Sequence, residues 1–135
     1  MDPCVECEPT LRVFAFGLAT LSFGCLEVSV FTDGSGGAYS SDVRIRRCGW
    51  EWVAITQDLT CQGGAVGTLG GWAQTVPRSE LMAAIQAIKS NPAPICVYSD
   101  CKLLTDGVKL PRANWPLRAN GDLWPQLGAA IDAHP

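Results

Sequence analysis

Alternating apolar and polar positions in the first half of the chain predict three short β-strands. Residues 26–32, LEVSVFT, are rich in β-branched and aromatic types and end at Asp33. Residues 49–56, GWEWVAIT, predict a second strand, and a weaker third strand covers about residues 61–69. Because only short loops separate these stretches, we expect an antiparallel meander.

A helix and a fourth strand follow. Pro77 suits the first turn of a helix, and three apolar residues then recur at the spacing of one helix face: Leu81, Ile85 and Ile88. An Asn-Pro pair ends this helix after residue 90, and residues 93–99, APICVYS, predict a strand. Since a helix precedes it, this fourth strand should lie parallel to the first.

Two shorter helices complete the pattern, at residues 102–108 and about residues 122–134, with a basic, proline-broken loop between them. The element order β-β-β-α-β-α-α predicts the α/β class, with a mixed sheet of three antiparallel strands plus a parallel fourth and flanking helices. We expect residues 1–25 to form an N-terminal extension of unknown role and residues 26–135 to form one domain.

Composition narrows the possible functions. A length of 135 residues fits one domain, and 47% hydrophobic residues is too high for a disordered chain. The net charge of −3 gives no overall attraction to nucleic acid or to an anionic membrane. Binding to a polyanion would therefore need a local basic patch or bound metal ions.

The cysteines and the N-terminus predict an intracellular protein, nuclear or cytoplasmic, that is not secreted. Seven cysteines is an odd count, which favours reduced thiols over a disulfide framework. Cys4 and Cys7 form a C-x-x-C pair without the second pair that a zinc site would need. The acidic start is unlike a secretory signal, and Arg12 and Glu27 interrupt the apolar stretch that a membrane helix would require.

Three acids fall where the predicted elements should converge. Asp33 and Asp100 follow the first and fourth strands, and parallel neighbouring strands end at the same edge of a sheet. Glu80 lies early in the long helix, on the flank of its apolar face, and could point under that edge. Clustered carboxylates repel one another unless a cation neutralises them, and Mg²⁺ prefers oxygen ligands. The pattern therefore indicates a magnesium site.

Each acid also has an ordinary structural explanation. Asp33 with its following glycine is a turn signal, Glu80 near a helix start favours the helix dipole, and Asp100 would cap the next helix. Taken together, on these elements and in this order, the three acids favour the metal site.

Five segments, in this order, resemble type 1 ribonuclease H, with the ribonuclease H domains of retroelement polyproteins as the nearest type. The segments are FTDGSGG (31–37), CGWEWVAI (48–55), QTVPRSELMAAIQAI (74–88), VYSDCKLLTDG (97–107) and GDLWPQL (121–127). The resemblance covers about residues 27–135. It implies a ribonuclease H-like fold that cuts the RNA strand of an RNA–DNA hybrid with two Mg²⁺ ions, for which Mn²⁺ can substitute. It further implies that Asp33, Glu80 and Asp100 are the catalytic, metal-binding residues.

The same resemblance implies a nucleic-acid surface. Main-chain groups of Gly34, Ser35 and Gly36 would approach the hybrid, and Arg78 would lie near the RNA strand. The basic loop would hold the DNA strand through four residues: Lys109, Arg112, Trp115 and Arg118. An ordinary solvated turn with a core-facing tryptophan is the alternative for this loop. A second basic cluster, Arg44, Arg46 and Arg47, has the same two interpretations.

The resemblance also predicts a domain that is incomplete at its C-terminus. A fifth strand, a loop histidine and a fourth aspartate would follow His134, and Asp106, Asp122 and Asp132 do not match that aspartate. We expect the missing strand to leave the flank of the first or fourth strand exposed. Two alternatives to a nuclease remain open: a catalytically inactive, nucleic-acid-binding retroelement fragment, and a fragment with neither function.

Overall fold

The computed structural model describes residues 10–13, 19–22, 28–56, 60–92 and 95–134. Six strands form one mixed sheet in the order β1-β2-β6-β3-β4-β5. The strands are β1 (Thr10–Val13), β2 (Ala19–Ser22), β3 (Val28–Ser35), β4 (Gly49–Ile55), β5 (Cys61–Thr68) and β6 (Ile95–Ser99).

The helices are α1 (Val76–Ser90), α2 (Lys102–Gly107) and α3 (Trp124–Ala133), with a 3₁₀ helix at Arg112–Leu117 between the last two. α1 begins where expected because the Thr75 hydroxyl accepts a hydrogen bond from the Arg78 amide and Pro77 occupies the first turn. Asn91 ends α1, and its side-chain amide donates to the Ala87 carbonyl. Among the described residues, no helix has the length and apolarity needed to cross a membrane.

The predicted four-stranded mixed sheet is confirmed. β3, β4 and β5 form an antiparallel meander, and β6 lies parallel to β3. β3 continues to Ser35, so Asp33 lies within the strand and not directly after it. This extension is possible because Asp33, Gly34 and Ser35 still pair with the first residues of β4.

The expectation of an exposed flank on the first or fourth predicted strand is wrong. β3 is paired on both sides, by β4 and β6, and the outer edge of β6 pairs antiparallel with β2. β1 and β2 pair antiparallel with each other, so residues from the N-terminal extension contribute two strands to the same sheet. The register sets Ala19 opposite Ser99, one residue before Asp100.

The hydrophobic core lies between the sheet and the helices. Along β3, Val30 and Thr32 face inward and Phe31 faces outward, which is the alternation of a sheet with one covered face. α1 packs on β3 and β4, and α3 packs on α1. The largest buried side chains of the helical layer are Leu81, Ile85, Ile88, Leu123, Trp124 and Leu127.

Candidate metal centre

The parallel pairing of β3 and β6 sets two acids side by side at one edge of the sheet. Phe31 is opposite Tyr98 in this pairing, and Asp33 and Asp100 each follow two residues later. Both carboxylates are exposed. The Thr32 hydroxyl donates to the Tyr98 carbonyl at 3.2 Å, which ties the two strands together beside the acids. Strand register therefore fixes the two side chains as neighbours.

The third acid comes from α1, which lies directly on β3 at Gly34. A methyl group added to Gly34 would lie 2.7 Å from the Glu80 amide nitrogen and would also collide with the Ser79 side chain. Only glycine permits this close approach. Glu80 is 5% exposed as a result, and its side chain reaches the edge that carries the other two acids.

The three carboxylates meet closely enough to share a cation. One oxygen from each of Asp33, Glu80 and Asp100 lies within 4.8 Å of the other two. The Glu80 Oε2 atom is buried and has no hydrogen-bond partner among the described residues. A buried carboxylate oxygen without a partner is costly, and a divalent cation with hard oxygen preferences would satisfy it. The residues present therefore fit a divalent metal site.

The electrostatics of Glu80 agree with this interpretation. Burial raises the pKa of Glu80 to about 7, and the neighbouring Asp33 and Asp100 carboxylates contribute in the same direction. A hydrogen bond from the Gly34 main chain partly opposes that rise in pKa. Without a cation, Glu80 is therefore partly protonated near neutral pH, and a metal ion would have to displace that proton.

The glycine-rich segment after Asp33, which begins in the last residues of β3, lies beside the cluster. The Gly34 amide donates to Asp33 Oδ1 at 2.9 Å and thereby orients that carboxylate. Ser35 is exposed, and its hydroxyl accepts from the Gly37 amide at 3.0 Å. Gly36 is buried against Ser40 and Val76, and Gly37 has a φ of +72°, which favours glycine.

Arg78, predicted to lie near the RNA strand, pairs with Asp122. Two guanidinium nitrogens donate to the two Asp122 oxygens at 2.8 and 2.6 Å. This bidentate pair joins the first turn of α1 to the segment that precedes α3. Sequence reasoning missed the role of Asp122, because no local pattern links two residues that are 44 positions apart.

The basic loop contains one exposed cation without an ion pair among the described residues and three residues that contact the rest of the protein. Lys109 is exposed and makes no ion pair among the described residues. Arg112 donates to Asp132 at 2.6 Å and lies over the Trp115 ring, whereas Arg118 lies over Trp124.

Trp115 lies in the core, 4% exposed, where its indole nitrogen donates to the Gly107 and Leu110 carbonyls. Its ring also packs against Trp124, with the ring centroids 5.3 Å apart. In this position Trp115 cannot stack on a nucleic-acid base. Its placement matches the alternative interpretation of this loop, in which the tryptophan faces the core.

Other sequence features contribute little to the cluster. Cys101 follows Asp100, is half-buried, and has a pKa raised chiefly by burial, which keeps it a neutral thiol. The Cys4–Cys7 pair considered for zinc lies outside the described residues.

Comparisons with known proteins show what the sequence and the fold resemble. The curated ribonuclease H of Alcanivorax borkumensis is 36% identical to the chain over an alignment that covers 42% of this chain and 46% of the relative. The chain thus spans about half the length of that relative. The fold is similar to the solution structure of the PFV RNase H domain, with a TM-score of 0.64, 16% sequence identity, and coverage of 81% of this chain and 74% of that one.

A family model described as RNase H matches residues 26–131, which is most of the chain and includes all three acids. Asp33, Glu80 and Asp100 therefore lie within a matched segment that also contains β3 to β6 and α1. On the basis of this match, the chain belongs to the ribonuclease H family, a family of endonucleases.

Proposed function

We propose that this protein is an RNA–DNA hybrid endoribonuclease that hydrolyses phosphodiesters of the RNA strand with two divalent ions. Mg²⁺ is the expected metal, and Mn²⁺ can substitute for it. The observation that carries the proposal is the convergence of Asp33, Glu80 and Asp100 from two strands and a helix to within 4.8 Å. Membership of the ribonuclease H family supports the hybrid as substrate.

The roles of the three acids follow from their positions. Asp33 and Asp100 are exposed and would face the phosphate of a bound substrate, and the Gly34 amide donates to Asp33 Oδ1. Glu80 holds the buried side of the site and gives up its proton when a cation is bound. When bound, divalent cations would supply Lewis-acid stabilisation of the charge that develops on the phosphodiester.

The choice of substrate rests on groups around the acids. The main chain of Gly34, Ser35 and Gly36 lies next to Asp33, where backbone can approach a ribose closely. Lys109 is the cation of the basic loop with most freedom to meet a phosphate of the DNA strand. Arg78 is proposed to act near the RNA strand while Asp122 fixes its guanidinium.

The test is cleavage of an RNA–DNA hybrid labelled at one end of the RNA strand, with Mg²⁺ or with EDTA. We expect cleavage of the RNA strand that requires the metal and is lost in Asp33→Asn. Asp106→Asn is the matched control, because Asp106 is exposed on α2 and pairs with Lys102. A wild-type protein that is folded and leaves the hybrid intact would overturn the proposal.

A catalytically inactive hybrid-binding protein is the second candidate. It is favoured by one observation: the metal-binding cluster found among the described residues has three acids and not four. Three other aspartates are held in ion pairs instead: Asp106 with Lys102, Asp122 with Arg78, and Asp132 with Arg112. Hybrid binding without cleavage would support this candidate, and neither binding nor cleavage would leave a fragment without either function.

A further inference from the structure

A fully exposed tryptophan and a basic loop lie on one side of the carboxylate cluster. Trp72, in the loop between β5 and α1, is 100% exposed. The loop between β3 and β4 exposes Tyr39, Val43 and Ile45 and carries the basic cluster Arg44, Arg46 and Arg47. One exposed apolar residue is ordinary, but several beside a group of cations suggest a binding surface.

Gln74 fixes both loops. Its buried side chain accepts from the Cys48 amide at 2.7 Å and donates to the Leu69 and Gly71 carbonyls at 2.9 Å each. Arg46 Nε donates to the Gln74 carbonyl at 2.6 Å. Trp72 is therefore presented by a loop that is hydrogen-bonded in place, so a partner would lose little loop entropy on binding it.

The three arginines differ in what they can offer. Arg46 connects the two loops, because its guanidinium donates to the Gln74 and Ser40 carbonyls. Arg44 is held by a bidentate pair with Asp42. Arg47 is exposed, donates to the Arg46 carbonyl, and makes no ion pair among the described residues. Arg47 is thus the cation of this cluster that can pair with an anion of a partner.

The sheet topology sets this surface on the same edge as the acids. β3, β5 and β6 run in one direction, and Ser35, Gly49 and Thr68 are paired in one row across β3, β4 and β5. The end of β5 is therefore two strand spacings, or about 10 Å, from the end of β3. The loop that carries Arg47 joins the end of β3 to the start of β4, and the loop that carries Trp72 follows β5, so both loops leave the sheet at the edge that carries the acids.

We infer that Trp72 and Arg47 form a second contact for the bound nucleic acid, at the same sheet edge as the carboxylate cluster. Arg47 pairs with a backbone phosphate, and Trp72 packs against a sugar and base of the same stretch. A nucleic acid is favoured over a protein partner because the surface combines a cation with an aromatic ring and shares its edge with the metal site. This inference rests on the proposed function and adds a binding contact to it.

The test measures binding of a fluorescein-labelled RNA–DNA hybrid by anisotropy in the Asp33→Asn background, where hydrolysis does not interfere. Trp72→Ala should weaken binding about 5-fold or more, and Trp72→Phe should retain most of the affinity. Val53→Ala is the control, because Val53 is an exposed apolar residue on β4 that pairs with Phe31, two residues farther from the edge than Asp33. Circular dichroism should report the same fold for all variants, since Trp72 is fully exposed.

A salt titration tests Arg47 separately. Arg47→Ala should reduce the slope of log K against log salt concentration by about 0.9, the value for one lost phosphate contact. Arg44→Ala is its control and should leave the slope unchanged, because Asp42 already neutralises Arg44.

Quenching by acrylamide identifies what covers Trp72. Acrylamide should quench the fluorescence of Trp72 in the free protein, and binding of the hybrid should reduce this quenching. The same change should be absent from Trp72→Phe. The inference is overturned if Trp72→Ala binds the hybrid within 2-fold of the Asp33→Asn protein. It is also overturned if raising the protein concentration, without hybrid, protects Trp72 from acrylamide, because that result would indicate contact with a second copy of the chain. If the wild type binds through Trp72 without cleaving, the nuclease proposal fails and the inference stands. If the wild type cleaves and Trp72→Ala binds normally, the inference alone fails.

Discussion

Glu80→Gln removes the ionisable group from the centre of the carboxylate cluster and keeps its shape. Burial raises the pKa of Glu80 from 4.5 to about 7, so the folded protein binds more protons than the unfolded chain between these two values. The contribution of this group to stability is therefore most favourable below pH 4.5 and is lost as the pH rises through about 7. The variant has no such proton and should lack this loss.

The magnitude follows from the size of the shift. A change from 4.5 to about 7 is about 2.5 units, and each unit is worth about 1.4 kcal/mol. Metal-free Glu80→Gln should therefore be more stable than the wild type by up to about 3 kcal/mol near pH 8, and similar to it near pH 4.5. Ion-paired groups such as Asp122, whose pKa is lowered by its hydrogen bond with Arg78, act in the opposite direction but equally in both proteins.

The assay is urea denaturation followed by circular dichroism at about pH 5 and about pH 8, with EDTA or with Mg²⁺. Mg²⁺ should stabilise the wild type near pH 8 by neutralising the cluster, and should stabilise Glu80→Gln less. Glu51→Gln is the control, because Glu51 is an exposed acid opposite Asp33 on β4. A stability difference between the wild type and Glu80→Gln that does not change with pH would refute the reasoning.

Four further predictions follow from the fold. Gly34→Ala should lower the free energy of unfolding by about 1–3 kcal/mol in urea denaturation and weaken Mn²⁺ binding, because the added methyl pushes α1 away from β3. Unchanged Mn²⁺ affinity would contradict this prediction. Trp115→Ala should cost about 3–5 kcal/mol as a buried side chain, and a small loss would mean that the ring is not part of the core. Asp122→Asn should weaken hybrid binding as much as Arg78→Ala if the pair positions the guanidinium; normal binding would indicate that Arg78 acts without Asp122. Deleting residues 1–25 should expose the β6 edge and cause association in size-exclusion chromatography, whereas a stable monomer would show that this edge needs no cover.

Much of the mixed sheet and the acid cluster could be predicted from the sequence, because both depend on strong local patterns. Val30 and Thr32 alternate with outward residues, and a helix between two strands requires them to be parallel. Once β3 and β6 are parallel neighbours, Asp33 and Asp100 must share an edge. The position of Glu80 depended on the helix phase, which Pro77 and the apolar stripe set correctly.

Other features could not be predicted because they depend on contacts between distant segments. The strands β1 and β2 have four residues each, too few to give a recognisable alternation. An aromatic residue in a basic loop fits either a core or a surface position, and the direction of Trp115 is fixed by the carbonyls that accept its indole hydrogen. The full exposure of Trp72 likewise depends on how Gln74 fixes its loop.

Anomalous diffraction from crystals grown with Mn²⁺ tests the metal site most directly. We predict an anomalous peak between the carboxylates of Asp33, Glu80 and Asp100, within coordination distance of all three, and its loss in Asp33→Asn crystals. Ordered carboxylates in the arrangement described here with no peak among them at saturating Mn²⁺ would contradict the account.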